Sequence, residues 1–60
     1  MFYVLNFETH TFTTCDTTEE VSAAVSAASD IEFIEIIDAH DSAIRLTPGE
    51  FDRYCEVNGL

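Results

Sequence analysis

The chain contains no lysine and no tryptophan, and only two arginines, Arg45 and Arg53, against twelve acidic side chains. Its formal charge is −10 over 60 residues. A protein that grips nucleic acid through phosphates needs a cluster of cations. Two arginines do not make one, so direct nucleic-acid binding is not expected. An anionic membrane surface would repel the chain for the same reason. Glycine is scarce, with two residues in all, and neither lies in a Gly-rich phosphate loop or dinucleotide fingerprint. No apolar run approaches the ~18–20 residues of a transmembrane helix. Met1-Phe2-Tyr3-Val4-Leu5 is apolar, but it lacks a basic leader and soon meets Asn6 and Glu8, so it does not read as a signal peptide. A cytoplasmic location is the expectation.

Cysteine is also scarce. Cys15 and Cys55 stand forty positions apart, and thiols of cytosolic proteins stay reduced. The pair reads as two small buried thiols rather than a bridge. With His10 and His40 they complete the ligand types zinc uses. None of the close pairings of a structural zinc site is present, however, and no metal or other cofactor is expected. The turn Asp38-Ala39-His40-Asp41 gathers oxygens but lacks a calcium-loop pattern and its glycine. It reads as a solvated turn whose aspartates bond their own backbone. Sixty residues hardly build a core and a catalytic pocket together, so an enzyme is not expected.

What is present is enough apolar material for a fold. Forty-seven per cent of residues are apolar and seven are Phe or Tyr, which separates the chain from a disordered acidic tail. Met1–Phe7 reads as a strand, followed by a short polar turn, Glu8-Thr9-His10, of undetermined register. Thr11–Cys15 is threonine-rich and β-prone. Asp16 or Thr17 can cap a helix, with Glu19 or Glu20 three residues on. Val21, Ala24, Val25 and Ala28 line one face of that helix, which should stop near Ser29-Asp30. Ile31–Asp38 reads as the strongest strand, Ala39–Ser42 as a turn, and Ala43–Thr47 as a short strand. Thr47-Pro48-Gly49-Glu50 is a helix start with Thr at the cap and Pro at the first position. Phe51, Tyr54 and Cys55 form the apolar face of the second helix. Asn58-Gly59 ends it, with Leu60 expected to pack back.

The order is ββαββα, an α+β chain in one domain. The expected architecture is a four-stranded antiparallel sheet with two helices on one face. Sliding the chain by 30 residues lays Thr17, Glu20, Val21, Ala24 and Val25 on Thr47, Glu50, Phe51, Tyr54 and Cys55, and His10 on His40. This alignment fits either a duplicated ββα unit spanning 1–30 and 31–60 or a ββαββα order without common ancestry.

The first and third strands are apolar on both faces. Either Phe2 and Val4 or Tyr3 and Leu5 must point away from the helices. Likewise Ile34 and Ile36, or Ile31, Phe33 and Ile37, must do so. An apolar sheet face left open marks an interface. Phe2, Val4, Ile34 and Ile36 are taken as that interface, and a homodimer is expected, since small domains need a staple.

The acids supply the functional expectation. Glu19, Glu20 and Glu50 suit helix first turns. Glu32, Glu35, Asp38, Asp41, Asp52 and Glu56 are not needed for capping, and they are the candidate binding surface. Such a field steers basic partners. The chain therefore reads as a small acidic protein-binding protein, an inhibitor or nucleic-acid mimic acting on a basic protein. Phages and mobile elements make small acidic inhibitors of this size and charge. The alternative is a homodimeric module that works through its apolar sheet face, with acidity serving solubility.

Overall fold

A computed structural model describes the backbone of residues 1–60 and the side chains of all but Ser42 and Ala43. Four strands and two helices run in the order β1 (Phe2–Asn6), β2 (Thr11–Cys15), α1 (Thr18–Ser26), β3 (Ile34–Asp38), β4 (Asp41–Leu46) and α2 (Pro48–Asn58). The strands form one antiparallel sheet in the order β2-β1-β3-β4. The two most apolar strands are thus central, each flanked on both sides.

One face of the sheet carries both helices. Phe2 and Val4 of β1, Cys15 of β2, and Ile34 and Ile36 of β3 meet Val21 of α1 and Phe51 of α2 in the core. Val21 and Ile36 have no exposed surface at all. Phe2 and Phe51 pack edge to face with ring centroids 5.2 Å apart, the geometry aromatic quadrupoles prefer. The four residues expected to form an open interface, Phe2, Val4, Ile34 and Ile36, are therefore the floor of the core. The open face instead carries their alternates Tyr3, Leu5 and Ile37. Alternation alone leaves both solutions open. The choice is made by where Val21 and Phe51 come down.

Both helix starts follow the sequence. The Thr17 hydroxyl accepts the Glu20 N–H at 3.2 Å. Thr47 forms a full capping box, accepting from the Glu50 N–H at 3.2 Å while its own N–H donates to Glu50 Oε1 at 3.0 Å. Gly59, at φ +70°, ends α2 in the left-handed region. The Leu60 N–H returns to the Cys55 carbonyl at 2.9 Å. The Leu60 side chain does not pack back and stays exposed.

Three boundaries differ from expectation, and each has a local cause. Helix α1 stops at Ser26, because the Ala28 N–H tightens onto the Val25 carbonyl. Residues Ile31–Phe33 are a 3₁₀ turn rather than the start of β3. The Asp30 carboxylate caps it by accepting the Glu32 N–H at 2.9 Å. The second hairpin turn is only Ala39-His40, so β4 begins at Asp41. The Asp38 side chain closes it, accepting the His40 N–H at 2.8 Å. Asn6 does the same in the first hairpin, accepting the Glu8 N–H at 2.9 Å. His10 completes that turn at φ +57°, a conformation histidine tolerates better than most side chains.

The two halves match with two offsets. At the helices the offset is 30, pairing the caps Thr17 and Thr47 and the buried Val21 and Phe51. At the inner strands it is 32, pairing the buried Phe2 with Ile34 and Val4 with Ile36. The difference is absorbed by the hairpins, whose loops hold four residues (7–10) and two (39–40). Val4 and Ile36 lie directly opposite each other in the β1–β3 register.

Candidate interaction surfaces

The acidic residues singled out above do not form one surface. Asp38 points into the core side of the sheet and is only 7 % exposed. Its Oδ1 accepts the His40 N–H, and its Oδ2 accepts the Tyr54 hydroxyl. These bonds, the Tyr54 hydroxyl above all, hold its carboxyl below the usual carboxylate range, against the opposing effect of burial. Both oxygens are committed, so Asp38 ties β3 to α2 and presents no free charge. Tyr54 is pushed up in turn, chiefly by the same bond.

Glu35 is also removed from the acidic set. It lies on the open sheet face, where Arg45 Nη1 meets its Oε1 at 3.2 Å. Glu32 is exposed in the 3₁₀ turn, and Asp41 is exposed at the start of β4. Asp52 and Glu56, one helical turn apart, are exposed on α2 and share a shallow surface depression with Arg53.

What the fold does bring together is a helical layer richer in charge than the sequence reading allowed. Asp16, Glu19 and Glu20 at the start of α1, and Glu50, Asp52 and Glu56 on α2, are all exposed. These six carboxylates face one cation, Arg53, for a net −5. Glu19, Glu20 and Glu50 suit helix first turns, yet that position does not bury them. Glu50 serves Thr47 and is held below the usual range by the Thr47 N–H and hydroxyl.

The opposite face is nearly neutral. Tyr3, Leu5, Phe12 and Ile37 occupy it with the Glu35–Arg45 pair. The rings of Tyr3 and Phe12 are 5.1 Å apart. Phe12 is 59 % exposed. It escapes notice in the sequence because the threonines around it read as a polar strand. The alternation Phe12-Thr13-Thr14-Cys15 is the signal that places it opposite to the buried Cys15.

A cleft of about 470 Å³ lies at one end of the sheet between Met1, Asp16, Thr17, Asp38, His40 and Tyr54. Its acid–base chemistry is restrained by the double commitment of Asp38. Cys15 and Cys55 are free thiols, each pushed up first by burial and then by neighbouring carboxylates. Neither is set up as a nucleophile. Among the described residues no group of three or more His, Cys, Asp or Glu side chains is arranged to hold a metal ion. No helix among the described residues is long and apolar enough to cross a membrane.

No protein-family model, no curated protein and no solved structure matches this chain.

Proposed function

We propose that the protein is an acidic interaction module whose helical layer binds a basic protein surface. The observation that supports this is segregation of charge. Six exposed carboxylates against one arginine lie with the two helices, while the open sheet face is balanced by its Glu35–Arg45 pair. An acidic coat that served solubility alone would not need to spare one face. A one-sided field orients an approaching cationic partner and speeds its capture.

The finer reading is that the layer stands in for nucleic acid. Glu50, Asp52 and Glu56 span about 9 Å of helix axis at 1.5 Å per residue. That is a mean of ~4.5 Å between successive carboxylates, the same order as the 3.4 Å per charge of one DNA strand. Glu50 and Asp52 point to different sides of the helix, so Asp52 and Glu56, one turn apart, are the pair a phosphate-binding surface would meet together.

The test uses two charge-matched variants and a fluorescent arginine-rich peptide as the cationic probe. Asp52→Asn with Glu56→Gln removes two charges from the helical layer. Glu8→Gln with Glu32→Gln removes two from the turns. The helical variant should bind about tenfold more weakly, or ~1.4 kcal/mol, while the turn variant stays near the parent. Equal losses would show that only net charge matters and would refute the assignment. Binding to the parent should also fall steeply between 0.05 and ~0.5 M salt, where the Debye length shrinks to a few Å. A duplex DNA arm should show no binding.

A further inference from the structure

The two edges of the sheet are built differently. Edge strands present unpaired N–H and C=O groups, and proteins usually guard them with charge, proline or a bulge. Strand β4 has all three nearby. Its register against β3 shifts between Ile37 and Asp38. Arg45 lies on it, Pro48 follows it, and the Thr47 N–H is taken by Glu50. Strand β2 has none of them within its own span, its nearest charge being Asp16 just beyond its end. Its register against β1 is unbroken from Cys15 to Thr11. Thr11-Phe12-Thr13-Thr14-Cys15 contains no charge and no proline, in a chain where one residue in five is acidic. Four of its five residues are exposed.

The hydrogen-bond alternation identifies which groups are bare. The Phe7 N–H bonds the Phe33 carbonyl at 2.9 Å, and the Ala39 N–H bonds the Met1 carbonyl at 3.0 Å. Odd-numbered residues of β1 therefore turn their backbone groups toward β3. Phe2, Val4 and Asn6 turn theirs toward β2, onto Cys15, Thr13 and Thr11. Phe12 and Thr14 are left with both N–H and C=O directed out of the sheet.

We propose that β2 is a pairing edge and that its occupant is β2 of a second copy, antiparallel across a two-fold axis at Thr13. Bare residues must face bare residues. Only one register lets Phe12 face the partner's Thr14 and Thr14 face the partner's Phe12, forming two doubly bonded pairs. Followed one position past each strand end, the same register brings His10 toward the partner's Asp16 at both ends. Sliding by two residues one way puts Phe12 opposite its own copy and Asp16 opposite the partner's Glu8. Sliding the other way puts Phe12 opposite the partner's Asp16. Charge and hydrogen bonding thus select one register. In it the two Phe12 side chains are diagonal neighbours on the open face, within aromatic reach. The Tyr3–Phe12 contact then continues across the axis into the second copy, within a sheet of twice four strands. An isologous pairing closes on itself and stops at the dimer.

This dimer does not depend on the reading of the helical layer, and salt separates the two. Pairing brings two chains of charge −10 together, so salt should tighten it, whereas salt loosens capture of a cationic peptide. Sedimentation equilibrium from 5 to 500 µM, at 0.15 and 0.5 M salt, should show a species of twice 6.7 kDa, more populated at the higher salt. Thr14→Pro removes a bare N–H that the chain itself does not use, so it should leave the far-UV spectrum intact and raise the dimer dissociation constant at least tenfold. Should that variant misfold, Thr13→Cys carries the test. It sets two thiols across a non-hydrogen-bonded pair, Cα atoms ~4.5 Å apart, within disulfide reach. Mild oxidation should join it as a covalent dimer faster than Ser22→Cys on the exposed side of α1. A parent that stays monomeric throughout, a folded Thr14→Pro that still dimerises, or Thr13→Cys that crosslinks no faster than Ser22→Cys would each overturn the proposal.

Discussion

Replacing Ile36 by alanine tests the assignment of the two sheet faces most directly. Ile36 has no exposed surface and sits opposite Val4 at the centre of the sheet, with Val21 and Phe51 in the same core. Truncation removes three carbons from a site fully shut off from water. At ~0.8 kcal/mol per buried methylene the transfer loss is about 2.4 kcal/mol. The cavity left behind raises the total to about 3–4 kcal/mol, within the range of such truncations. A domain of this length holds roughly 3–9 kcal/mol of stability. The variant should therefore stand at or near the edge of unfolding in plain buffer. Ile37, its neighbour on the open face, is half-buried, and Ile37→Ala should cost only about 1 kcal/mol. Urea unfolding followed by far-UV circular dichroism reads the difference. With a slope near 1 kcal/mol per molar for so small a domain, the midpoints of the two variants should lie about 2–3 M apart. Equal midpoints, or Ile37→Ala as the weaker protein, would refute the placement of the helices.

Two further outcomes follow from the buried polar groups. Tyr54→Phe should destabilise the protein at pH 7, and the gap from the parent should close in acid. The folded-state pKa of Asp38 is lowered, so its contribution is complete above the ordinary carboxylate value of ~3.9 and is lost as pH falls through the lowered one. The other carboxylates titrate in both proteins and largely cancel in the comparison, so a gap that stays constant from pH 7 to 2 would count against the tie. The thiols should separate by rate: Cys55, half-buried on α2, should react with Ellman's reagent at least ~10-fold faster than Cys15, which is 1 % exposed. Equal rates under native conditions would contradict the burial of Cys15.

Much of the fold is legible in the residues because its signals are local. Thr17 and Thr47 announce both helices, and Gly59 ends the second, since each satisfies backbone groups within a few positions of itself. The missed boundaries are local too. Asn6 and Asp30 each accept an N–H two residues ahead, and such side chains are as easily read as ordinary solvent-facing groups as they are as turn formers. Asp38 accepts from its own turn as the sequence there predicts, and only the turn's length differs. The side of the sheet that meets the helices is different in kind. Phe2 and Tyr3, or Ile36 and Ile37, are equally apolar, and only Val21 and Phe51 in three dimensions choose between them. Asp38 shows the same limit in the candidate site. Nothing within its own turn reveals that Tyr54, sixteen residues on, will take its second oxygen. Six acids chosen by elimination therefore included one tied into the core side and one neutralised on the open face, and left out four that lie exposed with the two helices, Asp16, Glu19, Glu20 and Glu50.

The internal match between the halves gives the edges their meaning. Phe2 answers Ile34, Val4 answers Ile36, and the turn-closing Asn6 answers Asp38, all at an offset of 32, while caps and buried helix residues answer at 30. The centre of the sheet is thus built twice in nearly the same way. The halves part company at the outer strands. One copy of the outer strand has a register shift, an arginine on it and a proline just beyond. The other, Thr11–Cys15, is uncharged and regular. Such a difference is not demanded by the core, because neither outer strand contributes more than its inward residues to it. A bare edge in a small domain invites uncontrolled pairing, and a chain of charge −10 limits that risk by repulsion everywhere except along an uncharged strip. Under the proposed pairing the acidity and the bare edge are parts of one arrangement: the charge would restrict association to a single place, and the register there would bring His10 toward the partner's Asp16 rather than acid against acid.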